Sequence, residues 1–341
     1  MFFASDNGAP CPAPVMAALA AANDGPAMPY GADPLTARAV AMIRDLFEAP
    51  GAAVHLVATG TAANALALGA VCPAYGAVFC ADQAHILHDE CGAPEFYTGG
   101  AKLLPVAAPD GRMDPAALAA AVDRLAGAGV HAVRPAAVSL SNLSELGTLH
   151  TPAQVAELAA IAHARGLAVH MDGARLANAL ATAGCSPAEA TWKAGVDVLS
   201  LGGTKNGLMG AEAVVIFDPA RAADFDRRRK RGGHLLSKHR YLAAQIAAWL
   251  EGGLWLDLAT RANAMAARLA AGIAALPGGR LLHPVQGNMV FATLPAPSLA
   301  RARAAGARFY PHGDGHGAVR LVASWATTAA EVDGFLAALR G

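Results

Sequence analysis

The sequence predicts an α/β fold: a mainly parallel sheet covered by helices on both faces, followed by a smaller α+β domain at the C-terminus. Two observations carry that expectation. The middle of the chain alternates short β-type runs with helical ones, and strands separated by crossover helices form parallel sheets. From about residue 239 the pattern changes to a long Ala/Leu-rich helical region, followed by a strand, helix, strand series.

Taken in order, "AAVHLVA" reads as a strand and "GTAANALALGAV" as a helix beginning at or just after Thr61. "YGAVFCADQ" and "PAAVSLSN" read as the next strands of the parallel layer. In "TPAQVAELAAIAHARG", Thr151 is placed as a helix N-cap, Pro152 as the first helical residue, and Gly166 as the stop. That helix feeds "LAVHMDG", and a further buried strand is expected in "VDVLSLGG". The helical region from 239 to 275 is interrupted near Gly252 and Gly253, and "RLLHPVQGNMVFATL", "SLARARAAGARFY" and "GAVRLVASW" then supply the small domain. The expected division is a large domain over residues 1–250 and a small one over 251–341, with residues 1–25 packing near the small domain or the active site. Neither an internal repeat nor a Pro/Gly linker separates them.

The 341 residues carry 26 Lys+Arg and 26 Asp+Glu, so no global field draws the chain to nucleic acid or an anionic membrane. The one strongly basic run, "RRRKRGGHLLSKHR", reads as a solvated helix end or an anion contact to a cofactor phosphate. No stretch is long and apolar enough to span a bilayer: "YLAAQIAAWLEGGLWLDLA" is broken by Glu251, two glycines and Asp257. The N-terminus lacks the pattern of a signal peptide, and a cytoplasmic protein is expected. Five cysteines without a CxxC pair argue against a zinc cluster or a disulfide framework, and no metal is expected. Cys91 is readable as a nucleophile, although a bystander thiol is the commoner case.

Several motifs fall at strand ends, where open α/β sheets bind ligands. In "ATGTAANALALG" a Gly/Thr turn, with Gly60 and Thr61, opens a helix whose first amides and dipole suit an anion. In "LAVHMDGAR" the strand ends on Asp172, placed to partner a protonated ring nitrogen; the rival reading has it capping a turn and pairing with Arg175. In "SLGGTKNGLMG" Lys205 stands among small residues, where a lysine with a lowered pKa can attack a carbonyl. His85, in "CADQAHILHDECG", suits ring stacking or proton transfer. Arg320 in "GAVRLVASW" suits bidentate capture of a carboxylate, or else an interdomain ion pair. An anion cradle, an acid for a pyridinium nitrogen and an amine for an aldehyde are together what pyridoxal phosphate needs.

These motifs, with "FASDN", "YGADPLTARA", "AHILHDECGAPEF" and "VRLVASWATT", make the chain resemble the low-specificity L-threonine aldolases among the fold type I (aspartate-aminotransferase-like) pyridoxal phosphate enzymes. The resemblance spans essentially the whole chain and implies a seven-stranded, mainly parallel sheet. It implies Lys205 as the lysine bonded to the cofactor aldehyde, Asp172 as partner of the pyridine nitrogen and His85 as the stacked imidazole. Gly60 and Thr61 would hold the phosphate, assisted by Thr204, and Ser5, Arg175 and Arg320 would surround the substrate carboxylate. Tyr30 and the 229–240 segment would reach a neighbouring subunit's site in a homodimer or homotetramer.

One departure stands out. Many relatives carry a stretch similar to "ENTHN", with a histidine near the substrate hydroxyl, where this chain reads "SNLSELG". His88 or a water is left as a substitute base. The implied activity is retro-aldol cleavage of L-threonine, L-allo-threonine and related β-hydroxy-α-amino acids to glycine and an aldehyde. Its rivals are another lyase activity on the same scaffold, either β-elimination or aldol cleavage of aromatic β-hydroxy amino acids, and a non-catalytic cofactor binder.

Overall fold

The computed structural model describes residues 1–313 and 317–341. The chain opens with helices α1 (Ala13–Ala21) and α2 (Pro34–Leu46) and strand β1 (Ala53–Val57). There follow α3 (Gly60–Val71), β2 (Gly76–Ala81), α4 (His85–His88), α5 (Ala93–Thr98), β3 (Lys102–Val106) and α6 (Pro115–Ala126). Next are β4 (Arg134–Ser141), α7 (Pro152–His163), β5 (Ala168–Gly173), α8 (Leu176–Ala183), β6 (Val198–Gly202) and β7 (Glu212–Ile216).

These seven strands form one sheet in the order β1-β7-β6-β5-β4-β2-β3, in which only β7 runs against its neighbours. This is the seven-stranded, mainly parallel sheet expected. Every residue of β2, β5, β6 and β7 is buried, as central strands covered on both faces must be. Because β1, β2, β4, β5 and β6 are parallel, their carboxyl ends share one edge. The amino end of the antiparallel β7, with Glu212, reaches the same edge opposite Gly202.

The caps follow the sequence closely. Thr151 accepts from the amide of Gln154, whose side chain returns to the Thr151 amide, and Pro152 sits in the first turn of α7. Helix α3 starts at Gly60, one residue before the Thr61 start read from the sequence, and is capped by Thr59, whose hydroxyl accepts from the amide of Ala62.

Helices α9 (Phe225–Arg231), α10 (Arg240–Leu250) and α11 (Leu254–Ala274) come next. Gly252 and Gly253 separate α10 from α11 with φ of 62° and 77°, a left-handed turn that favours glycine. The basic run is not wholly a solvated helix end: Arg229 is buried, donating to the Leu56 carbonyl and pairing with Asp226.

The C-terminal region holds β8 (Arg280–Leu281), β9 (Met289–Thr293), α12 (Ala296–Ala304), β10 (Tyr310–Pro311), β11 (Ala318–Val322) and α13 (Ala329–Arg340). Its four strands form an antiparallel sheet in the order β10-β11-β9-β8. Helix α11 serves both cores: Trp255, Leu258 and Ala259 enter the large one, while Ala266, Leu269 and Ile273 enter the second. Phe3 is also fully buried in the second core, its amide on the Arg308 carbonyl and its carbonyl on the Val322 amide. An aromatic side chain so buried contributes about 1.5–3 kcal/mol, which anchors the N-terminal segment and fixes where residues 4–7 lie.

Candidate active site

A cavity of about 420 Å³ opens at the carboxyl edge of the large sheet. It is lined by Thr59, Gly60, Thr61 and Asn64 from α3 and its cap, by His85 and Glu90 after β2, by Asp172 at the end of β5, and by Thr204, Lys205 and Glu212 around the β6–β7 turn. The sequence motifs thus converge because parallel strands deliver them to one edge.

Lys205 stands in a single 3-10 turn, Thr204–Asn206, immediately after β6. That turn is held from beneath: the Trp249 indole donates to the Asn206 carbonyl at 3.0 Å, and Asn206 Nδ2 donates to the Trp255 carbonyl at 2.7 Å. The Gly203 amide donates to Glu212, and Met209 N donates to Gln245 Oε1 at 2.8 Å. Burial, with Arg175 nearby, lowers the Lys205 pKa against the pull of Asp6, Asp172 and Glu212. A lysine so held is predisposed to act as a free amine.

Asp172 is buried, and burial alone would raise its pKa. Lys205, the Ala174 amide at 2.9 Å and Asn64 Nδ2 at 2.8 Å hold it below the usual range. It is therefore a fixed negative charge facing the cavity, and the predicted rival pairing with Arg175 is not formed. Arg175 instead holds Asp6. His85 is fixed at both ends, its amide donating to Glu145 Oε1 at 2.9 Å and its Nδ1 lying 2.8 Å from Glu90 Oε1. The Glu90 bond raises the His85 pKa above its ordinary value, burial opposing.

The remaining predicted residues lie apart from this cavity lining. Ser5 caps the short turn Asp6–Gly8, its hydroxyl accepting from the Asn7 amide. Arg320, on β11, donates to the Ala4 carbonyl at 3.4 Å and lies over the Tyr310 ring. It lines a separate cavity of about 350 Å³ with Gln83, Glu145, Leu146, His283, Phe291 and His312. His88 is exposed and turned to the Asp82 carbonyl at 2.8 Å. Tyr30 is exposed beneath Lys230, 4.4 Å from its ring, and lines a third cavity with His55, Arg229 and His239. Cys91 is exposed.

Sequence reasoning missed Asp6, Asn64, Glu90, Glu145 and Glu212. The signal for Asn64 was available, a polar residue among alanines four places after Gly60 on a helix buried almost all round. Glu145 occupies the "SNLSELG" stretch in which the histidine is absent, and accepts from Ser141 Oγ at 2.7 Å as well as from His85.

Comparison with known proteins identifies the family and the fold. The family described as beta-eliminating lyase matches residues 3–296. The chain belongs to that family. It is 42% identical to a low specificity L-threonine aldolase of a Pseudomonas species over 99% of this chain and 96% of the relative. A second relative of that description, from Pseudomonas aeruginosa, is 44% identical over 95% and 93% of the two chains. The solved structure of Leishmania major threonine aldolase superposes with a TM-score of 0.93 at 31% identity, covering 99% of this chain and 98% of the other.

The resemblance carried by the sequence motifs is therefore real, and the protein is an enzyme of the lyase class with the fold type I architecture. Members of this family typically depend on pyridoxal phosphate. Among the described residues no group of three or more His, Cys, Asp or Glu is placed to hold a metal ion, and no helix is long and apolar enough to cross a membrane.

Proposed function

We propose that the protein is a pyridoxal-phosphate-dependent aldolase that cleaves L-threonine, L-allo-threonine and related β-hydroxy-α-amino acids into glycine and an aldehyde. The observation that carries the cofactor reading is the cavity itself, where Lys205 and Asp172 line the same space as the free N-terminus of α3. A Cβ built on Gly60 meets nothing within 4 Å, so the backbone there leaves open room for an anion. The relatives named above support the aldol cleavage. When bound, pyridoxal phosphate supplies an aldehyde for an amine and an electron sink for the charge released at the substrate Cα.

Each residue then has a task. Lys205 provides the amine, Asp172 holds the proton of the pyridine nitrogen, and the Gly60 and Thr61 amides, with Thr204, hold the phosphate. Arg320 and Ser5 orient the substrate carboxylate, and Arg175 adds positive charge while held by Asp6. His85 would stack against the bound cofactor and take the proton of the substrate β-hydroxyl. His88, turned to a carbonyl, is the weaker choice of base. Tyr30 and the 229–240 segment, exposed or facing another cavity in one chain, complete the site of a second copy in a homo-oligomer.

The test is direct. Purified protein should show the visible absorbance of bound cofactor and release glycine and acetaldehyde from both threonine diastereomers. Lys205→Ala should lose at least about 1,000-fold in kcat. Cofactor absorbance without aldehyde from any β-hydroxy amino acid would refute the aldolase reading, and full activity in the variant would refute the lysine assignment.

A further inference from the structure

The Glu90 side chain is fully buried, and among the described residues its hydrogen bonds go to Asn64 and His85 rather than to Lys205 or the Gly60–Thr61 turn. Its Oε1 is shared by two groups: Asn64 Nδ2 at 2.8 Å and His85 Nδ1 at 2.8 Å. Asn64 uses the same nitrogen toward Asp172 Oδ2, also at 2.8 Å. An amide nitrogen carries two hydrogens, and here one goes to each carboxylate. The opposite amide orientation would set Asn64 Oδ1 against two acceptor oxygens, so the donor assignment is fixed by chemistry. With Glu90 ionised, its Oε1 is an acceptor toward His85 as well, and Nδ1 carries the hydrogen.

We propose that Glu90 is a positioning residue: by accepting from Nδ1 it holds His85 in the tautomer whose Nε2 lone pair faces the cavity, and through Asn64 it joins that histidine to Asp172. This deepens the functional reading above and rests on it. The chain Asp172–Asn64–Glu90–His85 lines the cavity, so the acid that would partner the pyridine nitrogen and the base that would serve the substrate hydroxyl share one hydrogen-bonded support. It also answers the absent histidine of "SNLSELG": the base is made by orienting the histidine already present, while Glu145 pins its backbone.

The charged groups facing His85 are Glu90, Asp172, Lys205 and Asp89, with Glu145 at its amide. Of these Glu90 makes the only direct side-chain bond to the imidazole among the described residues. Burial pushes the Glu90 pKa up and the bond raises that of His85, so the two compete for one proton.

The experiment uses nitrogen-15-labelled histidine in cofactor-free protein, with the His85 resonances identified by their loss in His85→Asn. The expected result is a neutral His85 with hydrogen on Nδ1, and a titration midpoint lower in Glu90→Gln by at least about half a pH unit. In the loaded enzyme the same variant should lose about 100-fold in kcat, with the acid limb of its pH profile moved to lower pH. Hydrogen on Nε2 in the unsubstituted protein would overturn the proposal, as would an unchanged midpoint in Glu90→Gln. Should that variant not fold, the tautomer of the unsubstituted protein decides alone. Absence of aldehyde release by the unsubstituted enzyme would sink the aldolase reading and leave the tautomer result standing.

Discussion

Arg175 reaches Asp6 in two parallel hydrogen bonds, Nε to Oδ2 at 2.7 Å and Nη2 to Oδ1 at 2.9 Å, so a residue six places from the N-terminus is clamped to the end of the central strand β5. Asn288 donates a third bond to Asp6 at 2.9 Å. Together these bonds tie three distant parts of the chain to one another.

Breaking that clamp from one side leaves a buried, uncompensated guanidinium. Asp6→Ala should therefore lose about 3–5 kcal/mol of stability at pH 7, the range for a buried pair stripped of one partner. Burial alone would raise the Asp6 pKa, but Arg175, Lys205 and Asn288 hold it below the usual carboxylate range. A carboxylate with a depressed folded pKa contributes stability above its unfolded pKa and loses it as pH falls through the folded value. The variant's deficit should accordingly shrink below about pH 4. Urea unfolding across that range measures it, and a deficit under about 1 kcal/mol at neutral pH would show that the clamp is not structural.

The glycines before Lys205 carry a second expectation. A Cβ on Gly202 would lie 2.5 Å from Ala174 Cα and 2.7 Å from its carbonyl oxygen, contacts that backbone cannot relieve cheaply. Gly202→Ala should cost about 1–3 kcal/mol and displace the turn that presents Lys205. Gly60→Ala is the counterpart: it meets nothing within 4 Å, so stability should hold within about 0.5 kcal/mol while cofactor uptake weakens. Thermal unfolding and absorbance titration with pyridoxal phosphate separate the two. Equal behaviour of both variants in both assays would refute this division of roles.

Much of this arrangement was legible because it is local. The anion cradle, Asp172 and Lys205 each sit at a strand-to-loop junction, and parallel topology then brings such junctions to one edge without further information. What was not legible depends on long-range contact. Asp6 meets Arg175 across 169 residues and Glu90 meets Asn64 across 26, with no periodicity joining either pair. The same holds for Arg175, which the sequence offered to Asp172 three residues away and the fold gave to Asp6. Arg229 fails the surface reading for a related reason, since a run of five basic residues looks solvated until one of them is placed against Leu56 and Asp226.

Four histidines with depressed pKa values, three of them buried and His55 half-buried, work against the fold in acid. His55, His150, His170 and His239 are each pushed down to about 4, in every case chiefly by burial. His170 shows the cause most plainly: fully buried on β5, it lies between Ser139 Oγ of β4 at 2.9 Å and Ser200 Oγ of β6 at 3.0 Å, an arrangement suited to a neutral ring. For such groups the unfolded state binds protons first, so their contribution is complete above about pH 6.5 and is lost as pH falls toward 4, at about 1.4 kcal/mol per pH unit for each fully titrating histidine. Buried acids oppose them. Glu212 is pushed up to about 7, and Glu90 and Glu145 are also raised by burial, so these three favour the folded state as pH falls. His85, raised by its bond to Glu90, acts with the acids, while His234 and His312, lowered chiefly by burial, act with the four histidines, and the net slope of stability against pH between 6.5 and 5 should be positive. Glu212→Gln removes one opposing group and should steepen it. Urea unfolding at pH 7, 6 and 5 reads both slopes; a flat profile in the unsubstituted protein would show that these histidines are not held neutral, and a shallower one in the variant would show that Glu212 does not hold its proton in the folded state.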